Sequence, residues 1–242
     1  MTVSNAHGVS DELIRRSLET VLDDGAFHIL SRRNVLLYPR AKMEEHIVQS
    51  FPIIKSAQVA GTSFLSTSLV VTVEEREPFA LWCGTEQGDC YFMDESGFIY
   101  APVPAQASYA TSTTHYIFRG GLPPASAGGA QAGTASSTHP IGQSFVRAHL
   151  PGLLSLLKFL GQAGFTPLQV HVEGEQDIIV ELQDGFVLKA SFGADAGTLV
   201  KNLQLVLSSD VLQGKRSSLE YVDLRFGNRV YYKLKGQAEV SN

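Results

Sequence analysis

The side chains able to do chemistry in this 242-residue chain are few and scattered. Its seven histidines are His7, His28, His46, His115, His139, His149 and His171. No two lie three or four residues apart, so none forms the paired metal ligand that one helical turn presents. His46 falls on the polar face of a predicted helix, and His115 and His139 flank a polar loop. We read them as structural or solvated. Glu74, Glu75 and Glu77 surround Arg76 at a predicted strand end. That is the pattern of a solvated turn whose ion pairs contribute little. Asp94, Asp184 and Asp223 fall at turns or strand starts. The chain contains no Gly-x-Ser-x-Gly, His-Glu-x-x-His or Gly-x-Gly-x-x-Gly motif and no phosphate-binding loop. Nothing in these residues points to an enzyme, and no catalytic residue, metal or cofactor is expected.

The two cysteines carry more information. Cys83 ends one short apolar run and Cys90 begins the next, with Gly84 to Asp89 between them. In an antiparallel hairpin such positions face each other. Their Cα separation, ~4.5–5.5 Å, overlaps the range a disulfide tolerates. We favour a hairpin disulfide, worth roughly 2 kcal/mol for so short a loop. It implies an oxidising, extracytoplasmic address. The alternative is two free buried thiols.

Composition bounds the remaining classes. With 44% hydrophobic and 18% charged residues the chain is globular, and its length accommodates two domains. A net charge of −5 with only 19 Lys and Arg argues against nucleic acid, which needs a basic face. No run approaches the ~20 apolar residues of a membrane-spanning helix. The most apolar helical window, Leu150 to Leu160, contains Pro151, Gly152 and Lys158. Met1 to Asn5 has neither the basic start nor the apolar core of a signal peptide.

Periodicity supplies the elements. Ser10-Asp11-Glu12 opens a helix whose apolar positions are Leu13, Ile14, Leu18, Val21 and Leu22, with Gly25 at its end. Asn34 to Tyr38 is a short apolar run, and Pro39 starts a second helix over Arg40 to Ser50. Ile54 to Val59 alternates as a strand, and Ser68 to Glu74 is rich in β-branched residues. These pieces read as α+β: two helices against a small sheet. After Pro78 short strands follow, at Phe79–Cys83, Cys90–Met93, Phe98–Tyr100 and Tyr116–Arg119. Gly120 to Gly142, dominated by Gly, Ala, Ser, Pro and Thr, reads as a flexible insertion. A helix over Phe145 to Gln162, strands at Leu168–Val172, Ile178–Leu182 and Phe186–Ser191, and a helix capped by Asp195 come next. Leu219–Arg225 and Arg229–Lys235 close the fold as strands.

Four phrases together resemble the extracytoplasmic region of the bacterial cell-division family FtsQ/DivIB. They are Phe51-Pro52-Ile53-Ile54-Lys55-Ser56-Ala57-Gln58-Val59, the run Leu69 to Trp82 with its Glu75-Arg76-Glu77-Pro78 exit, Tyr91-Phe92-Met93-Asp94-Glu95-Ser96-Gly97-Phe98-Ile99, and Leu219-Glu220-Tyr221-Val222-Asp223-Leu224-Arg225-Phe226. They occur in the family's order and span nearly the whole chain. The resemblance implies a POTRA-like domain over residues 1–76. It implies a mostly antiparallel β domain with two helices over 77–236, carrying the insertion at 120–142, and a tail at 237–242. A transmembrane helix is expected upstream, absent from this sequence, which would hold the protein at the outer face of the cell membrane at the division septum.

The resemblance further implies a scaffold that recruits the partners FtsB and FtsL by β-strand addition to an exposed edge near the C-terminus. By position, Arg225 would pair with an acidic partner residue, Phe226 would be an apolar anchor, and Val230 and Tyr232 would lie on the last strand beside them. A second basic partner-binding position of some relatives falls near Phe192. Other divisome proteins would meet the POTRA-like face. The residues also admit simpler readings. Arg225 can neutralise Asp223, two positions away on the same face, and Arg229 and Lys233 can serve as guards of an edge. Strand alternation predicts that one of Tyr231 and Tyr232 faces the core. The rival reading is a POTRA-containing chaperone or transport receptor that handles secreted or outer-membrane chains by the same edge pairing.

Overall fold

The computed structural model describes residues 1–23, 39–61, 68–84, 89–104, 116–122, 139–227 and 229–236. The chain divides into two compact units, Met1–Glu77 and Pro78–Asn242. Gly25, Asn34 to Tyr38, and most of the expected insertion (123–138) lie outside the described residues, as do His28, His115 and the tail.

The first unit is α+β. Strand β1 (Thr2–Ser4) is followed by helices α1 (Asp11–Asp23) and α2 (Arg40–Ser50), then β2 (Ile54–Gly61) and β3 (Leu69–Glu75). Ser10 opens α1, its carbonyl accepting from Leu13 and Ile14 N–H, and Asp11 and Glu12 occupy the first turn, where the helix dipole favours acids. Ile14 and Leu18 on α1 and Met43 and Ile47 on α2 are spaced one turn apart and fully buried. They pack on Ile54, Val59 and Val71 of the sheet. Burying each such side chain contributes roughly 1.5–3 kcal/mol. The sheet order is β1-β3-β2, with β1 parallel to β3. Glu75 ties down the chain after β1 by accepting from the His7 and Gly8 N–H groups, each at 2.7 Å.

Two details of this unit depart from simple periodicity. A register shift between Ile54 and Ser56 lets Ile54 and Val59, five residues apart, both face the core. The Val59 N–H is satisfied by Glu44 of α2 at 2.9 Å. Hydrogen bonds from Arg40 and then from Val59 hold the Glu44 carboxyl below its ordinary range.

The second unit is a nine-stranded sheet with helices α3 (Leu150–Gln162) and α4 (Ala196–Leu207). Its strands are β4 (Ala80–Cys83), β5 (Cys90–Met93), β6 (Ile99–Pro102), β7 (Tyr116–Gly120), β8 (Pro167–Glu173), β9 (Asp177–Leu182), β10 (Val187–Ser191), β11 (Leu219–Phe226) and β12 (Arg229–Leu234). Their order is β12-β11-β10-β9-β8-β7-β4-β5-β6. The sheet is mixed: five of its eight strand pairings are antiparallel, while β4–β7, β7–β8 and β10–β11 are parallel. Parallel neighbours need a long crossover, which α3 supplies between β7 and β8 and α4 between β10 and β11. Leu153, Leu156, Leu157 and Leu160 of α3 and Leu199 and Leu203 of α4 pack with Val170, Val180, Leu188 and Val222 of the sheet in one core. Asp195 caps α4, accepting from Thr198 N–H at 2.8 Å.

Helix α3 starts five residues later than the predicted Phe145. Phe145 instead donates its N–H to Gly97 O at 2.9 Å, and its ring is fully buried 5.0 Å from that of Phe118. Pro151 then sits in the first turn of α3, where its missing N–H costs nothing; a start at Phe145 would have placed it in the helix interior.

The ends of the expected insertion belong to the sheet. Gly120 closes β7, and Gly142 N–H donates to Ile99 O at 2.8 Å while Gln143 O accepts from Ile99 N–H at 3.0 Å. Together with an antiparallel bridge between Phe98 and Ser144, this segment pairs with the start of β6.

Candidate functional site

The opposite edge of the same sheet is β12, which among the described residues pairs with β11 alone. Two register shifts mark the β11–β12 ribbon. Between the pairs Leu219–Leu234 and Tyr221–Lys233, and again between Asp223–Tyr231 and Phe226–Arg229, the extra residue lies on β11. Strand β12 therefore keeps an unbroken period of two. The Lys235 N–H donates to Ser218 O at 2.8 Å, which directs the backbone of the odd positions toward β11. By alternation the N–H and C=O groups of Val230, Tyr232 and Leu234 point away from the sheet. This is a strand with one row of hydrogen-bonding groups unused by its neighbour.

The side chains at this edge are aromatic and basic. Phe226 is 55% exposed, Tyr231 48% and Tyr232 39%. Phe226 meets Tyr231 edge to face, with ring centroids 5.1 Å apart. Val230 and Leu234 turn to the core side of the strand and are half-buried against it. Tyr232 shares their face, opposite buried Val222. The expectation that one tyrosine would be covered is therefore corrected. Alternation holds, but at the margin of the sheet the core face itself is open, so both rings are exposed.

Arg225 is engaged within its own unit. Its Nε and Nη2 donate to Asp223 at 3.0 and 2.7 Å, its N–H donates to Asp223 Oδ1 at 3.1 Å, and its Nη1 donates to Asp177 of β9. The neutralisation of Asp223 read from their spacing is present, and Asp177 completes a clamp that spacing did not reveal. Asp223 is only 5% exposed, and its hydrogen bonds to Arg225, with those of Asp177, push the guanidinium pKa upward. Two further cations at the edge are also engaged. Lys233 Nζ lies 2.9 Å from Glu220, and Lys235 Nζ donates to Ser217 O at 3.1 Å. Phe192 lies at the end of β10, its ring stacked 4.5 Å from that of His149.

No protein-family model matches the sequence, and no curated protein matches it.

The remaining candidates are structural in their contacts. Cys83 and Cys90 face each other in the β4–β5 register and form a disulfide with Cα atoms 4.1 Å apart. Asp94 accepts from the N–H groups of Ser96 and Phe98 at 2.9 and 3.0 Å, which closes the turn before β6. Asp184 pairs with Arg216 at 2.6 Å. His46 joins Ser17 of α1 to Ser50 of α2 through Nε2. The acids around Arg76 line an open hollow of about 530 Å³ with His7 and Ser56. There Glu74 accepts from Ser56 at 2.9 Å and Glu75 from backbone N–H groups. Among the described residues no three His, Cys, Asp or Glu side chains gather to hold a metal ion, and no helix is long and apolar enough to cross a membrane.

Proposed function

We propose that this chain is a non-enzymatic scaffold of the FtsQ/DivIB kind. Its second unit recruits the division proteins FtsB and FtsL outside the cytoplasmic membrane, at the septum, by adding a strand of the partner to β12. The observation that carries this reading is the asymmetry of the nine-stranded sheet among the described residues: at its β6 end Phe98 and Ile99 are bonded by residues 142–144, while β12 has a neighbour on one side. Backbone pairing supplies affinity in such recognition, and alternating side-chain contacts supply selection. The β-α-α-β-β order of the first unit supports its reading as a POTRA-like domain that meets other divisome proteins. The Cys83–Cys90 disulfide supports an oxidising compartment.

Proline provides the test. The Tyr232 N–H points outward and is not needed by β11, so Tyr232→Pro removes a donor only from the visiting strand. Calorimetric titration with the extracytoplasmic segment of the FtsB from the same genome should give binding to the native protein. The variant, with its melting temperature retained, should bind at least about tenfold more weakly, a loss of ~1.4 kcal/mol. Equal binding by the two proteins would contradict strand addition at β12. Binding of unfolded outer-membrane chains with no affinity for FtsB would replace this reading by that of a chaperone or transport receptor.

A further inference from the structure

We infer that the Glu44 side chain guards a second long strand edge of this protein: it closes the outer side of β2, and without it two copies of the chain pair through that strand. The guard stands in the first unit and is independent of whether a strand adds to β12. Among the described residues β2 has β3 on one side and no strand on the other. The opposite edge of this small sheet, β1, is three residues long and offers little to pair with. Strand β2 is eight residues long. Past the register shift at Ile54, its pairs with β3 run unbroken from Ser56–Glu74 to Gly61–Leu69. Ser56 to Gly61 carries no charge and no proline. A regular, uncharged edge of this kind is a template for another strand.

The Val59 N–H donates to Glu44 Oε1 at 2.9 Å and not to β3, so the odd positions of β2 face outward. Ala57, Val59 and Gly61 carry this outer row, with Val59 at its middle. A visiting strand must put a carbonyl oxygen where the Glu44 carboxylate lies. That carboxylate is fixed in place. Arg40, one turn earlier on α2, donates Nε to the same oxygen at 2.8 Å, and the Glu44 side chain is 25% exposed. The bonds from Arg40 and Val59 keep Glu44 ionised, and a charge-assisted bond is the stronger competitor for the N–H. A second copy of the chain fits the edge once it is opened. Antiparallel pairing of two β2 strands about Gln58 sets Ala57 opposite Val59 in both directions, so the outward groups of the two strands bond each other. Ser56 then meets Ala60, and Lys55, the one charged residue of β2, meets Gly61. No like charges face each other.

Sedimentation of the full chain over a concentration series, with amide exchange at the lowest concentration, tests the guard. Glu44→Ala should self-associate at least about tenfold more tightly than the native protein. Glu44→Gln, which keeps an acceptor oxygen, should stay close to native. Adding Ala57→Pro to Glu44→Ala removes an outward donor that β3 does not use, and should restore native behaviour. In the native protein the Val59 amide should exchange slowly. In Glu44→Ala it should exchange at least about tenfold faster, with Gln58 and Ala60, which face β3, little changed. Native-like self-association of a folded Glu44→Ala would overturn the guard. Self-association that survives Ala57→Pro would overturn β2 as the surface. Fast exchange of Val59 in the native protein would overturn the cap without recourse to any variant. None of these outcomes touches strand addition at β12, which Tyr232→Pro tests separately.

Discussion

Arg225 near the end of β11 donates to Asp177 at the start of β9, reaching across the intervening strand β10. With Asp223 on its own strand, Arg225 thus fastens the bulged end of the ribbon from which Phe226 projects. The arrangement makes Arg225 a positioning residue for the edge. Removing it leaves the nearly buried Asp223 carboxylate short of its main donors.

Arg225→Ala should therefore cost stability, about 1–3 kcal/mol for the orphaned acceptor. Arg225→Lys should recover part of it, because one ammonium cannot span both carboxylates as a planar fork does. Chemical denaturation of the native protein, both variants, Asp177→Ala and the Arg225→Ala/Asp177→Ala pair measures this. A coupling energy below about 0.5 kcal/mol would show that the clamp contributes nothing.

The Cys83–Cys90 disulfide closes a short loop between β4 and β5, and β4 lies inside the sheet between β7 and β5. Cys83→Ser/Cys90→Ser should lower unfolding free energy by about 2 kcal/mol. The native protein should show the same loss in reductant, and the variant no further change. Two alkylatable thiols in native protein purified from an oxidising compartment would contradict the pairing.

Gly120 sits where the sheet leaves no room for a Cβ. Its φ is +67°, and a Cβ there would lie 2.3 Å from Val172 O, a backbone atom of the neighbouring β8. Its own carbonyl accepts from Trp82 Nε1 at 2.9 Å. Gly120→Ala should cost about 3 kcal/mol or more, since β7 and β8 must part. Gly142→Ala, at φ +89° with open space around it, should cost only the left-handed penalty of about 1–2 kcal/mol. Comparable melting temperatures for the two variants would contradict the packing described.

Much of the framework is legible in the residues. Pro39 before α2, Asp195 before α4 and the Asp94-to-Gly97 turn are local signals, and they place their elements correctly. What escapes is non-local. The pairing of β1 beside β3 depends on contacts about 68 residues apart, and no local period announces a parallel edge strand of three residues. The Ile54 bulge defeats alternation because one residue changes the face of all that follow. The position of Pro151 in the first turn of α3 is a signal that could have corrected the start of that helix. At the edge, the spacing of Asp223 and Arg225 is visible, but Asp177 lies 48 residues from Arg225 and joins it only once the strand order is known. The exposure of both tyrosines likewise follows from β12 being outermost, which alternation alone does not reveal.

Amide hydrogen exchange on the second unit, read residue by residue with and without the FtsB segment, tests strand addition most directly. Binding should slow exchange at Val230, Tyr232 and Leu234, whose N–H groups point outward, and leave Tyr231 and Lys233 little changed. Unchanged exchange at those three amides in a complex that demonstrably forms would contradict pairing at β12.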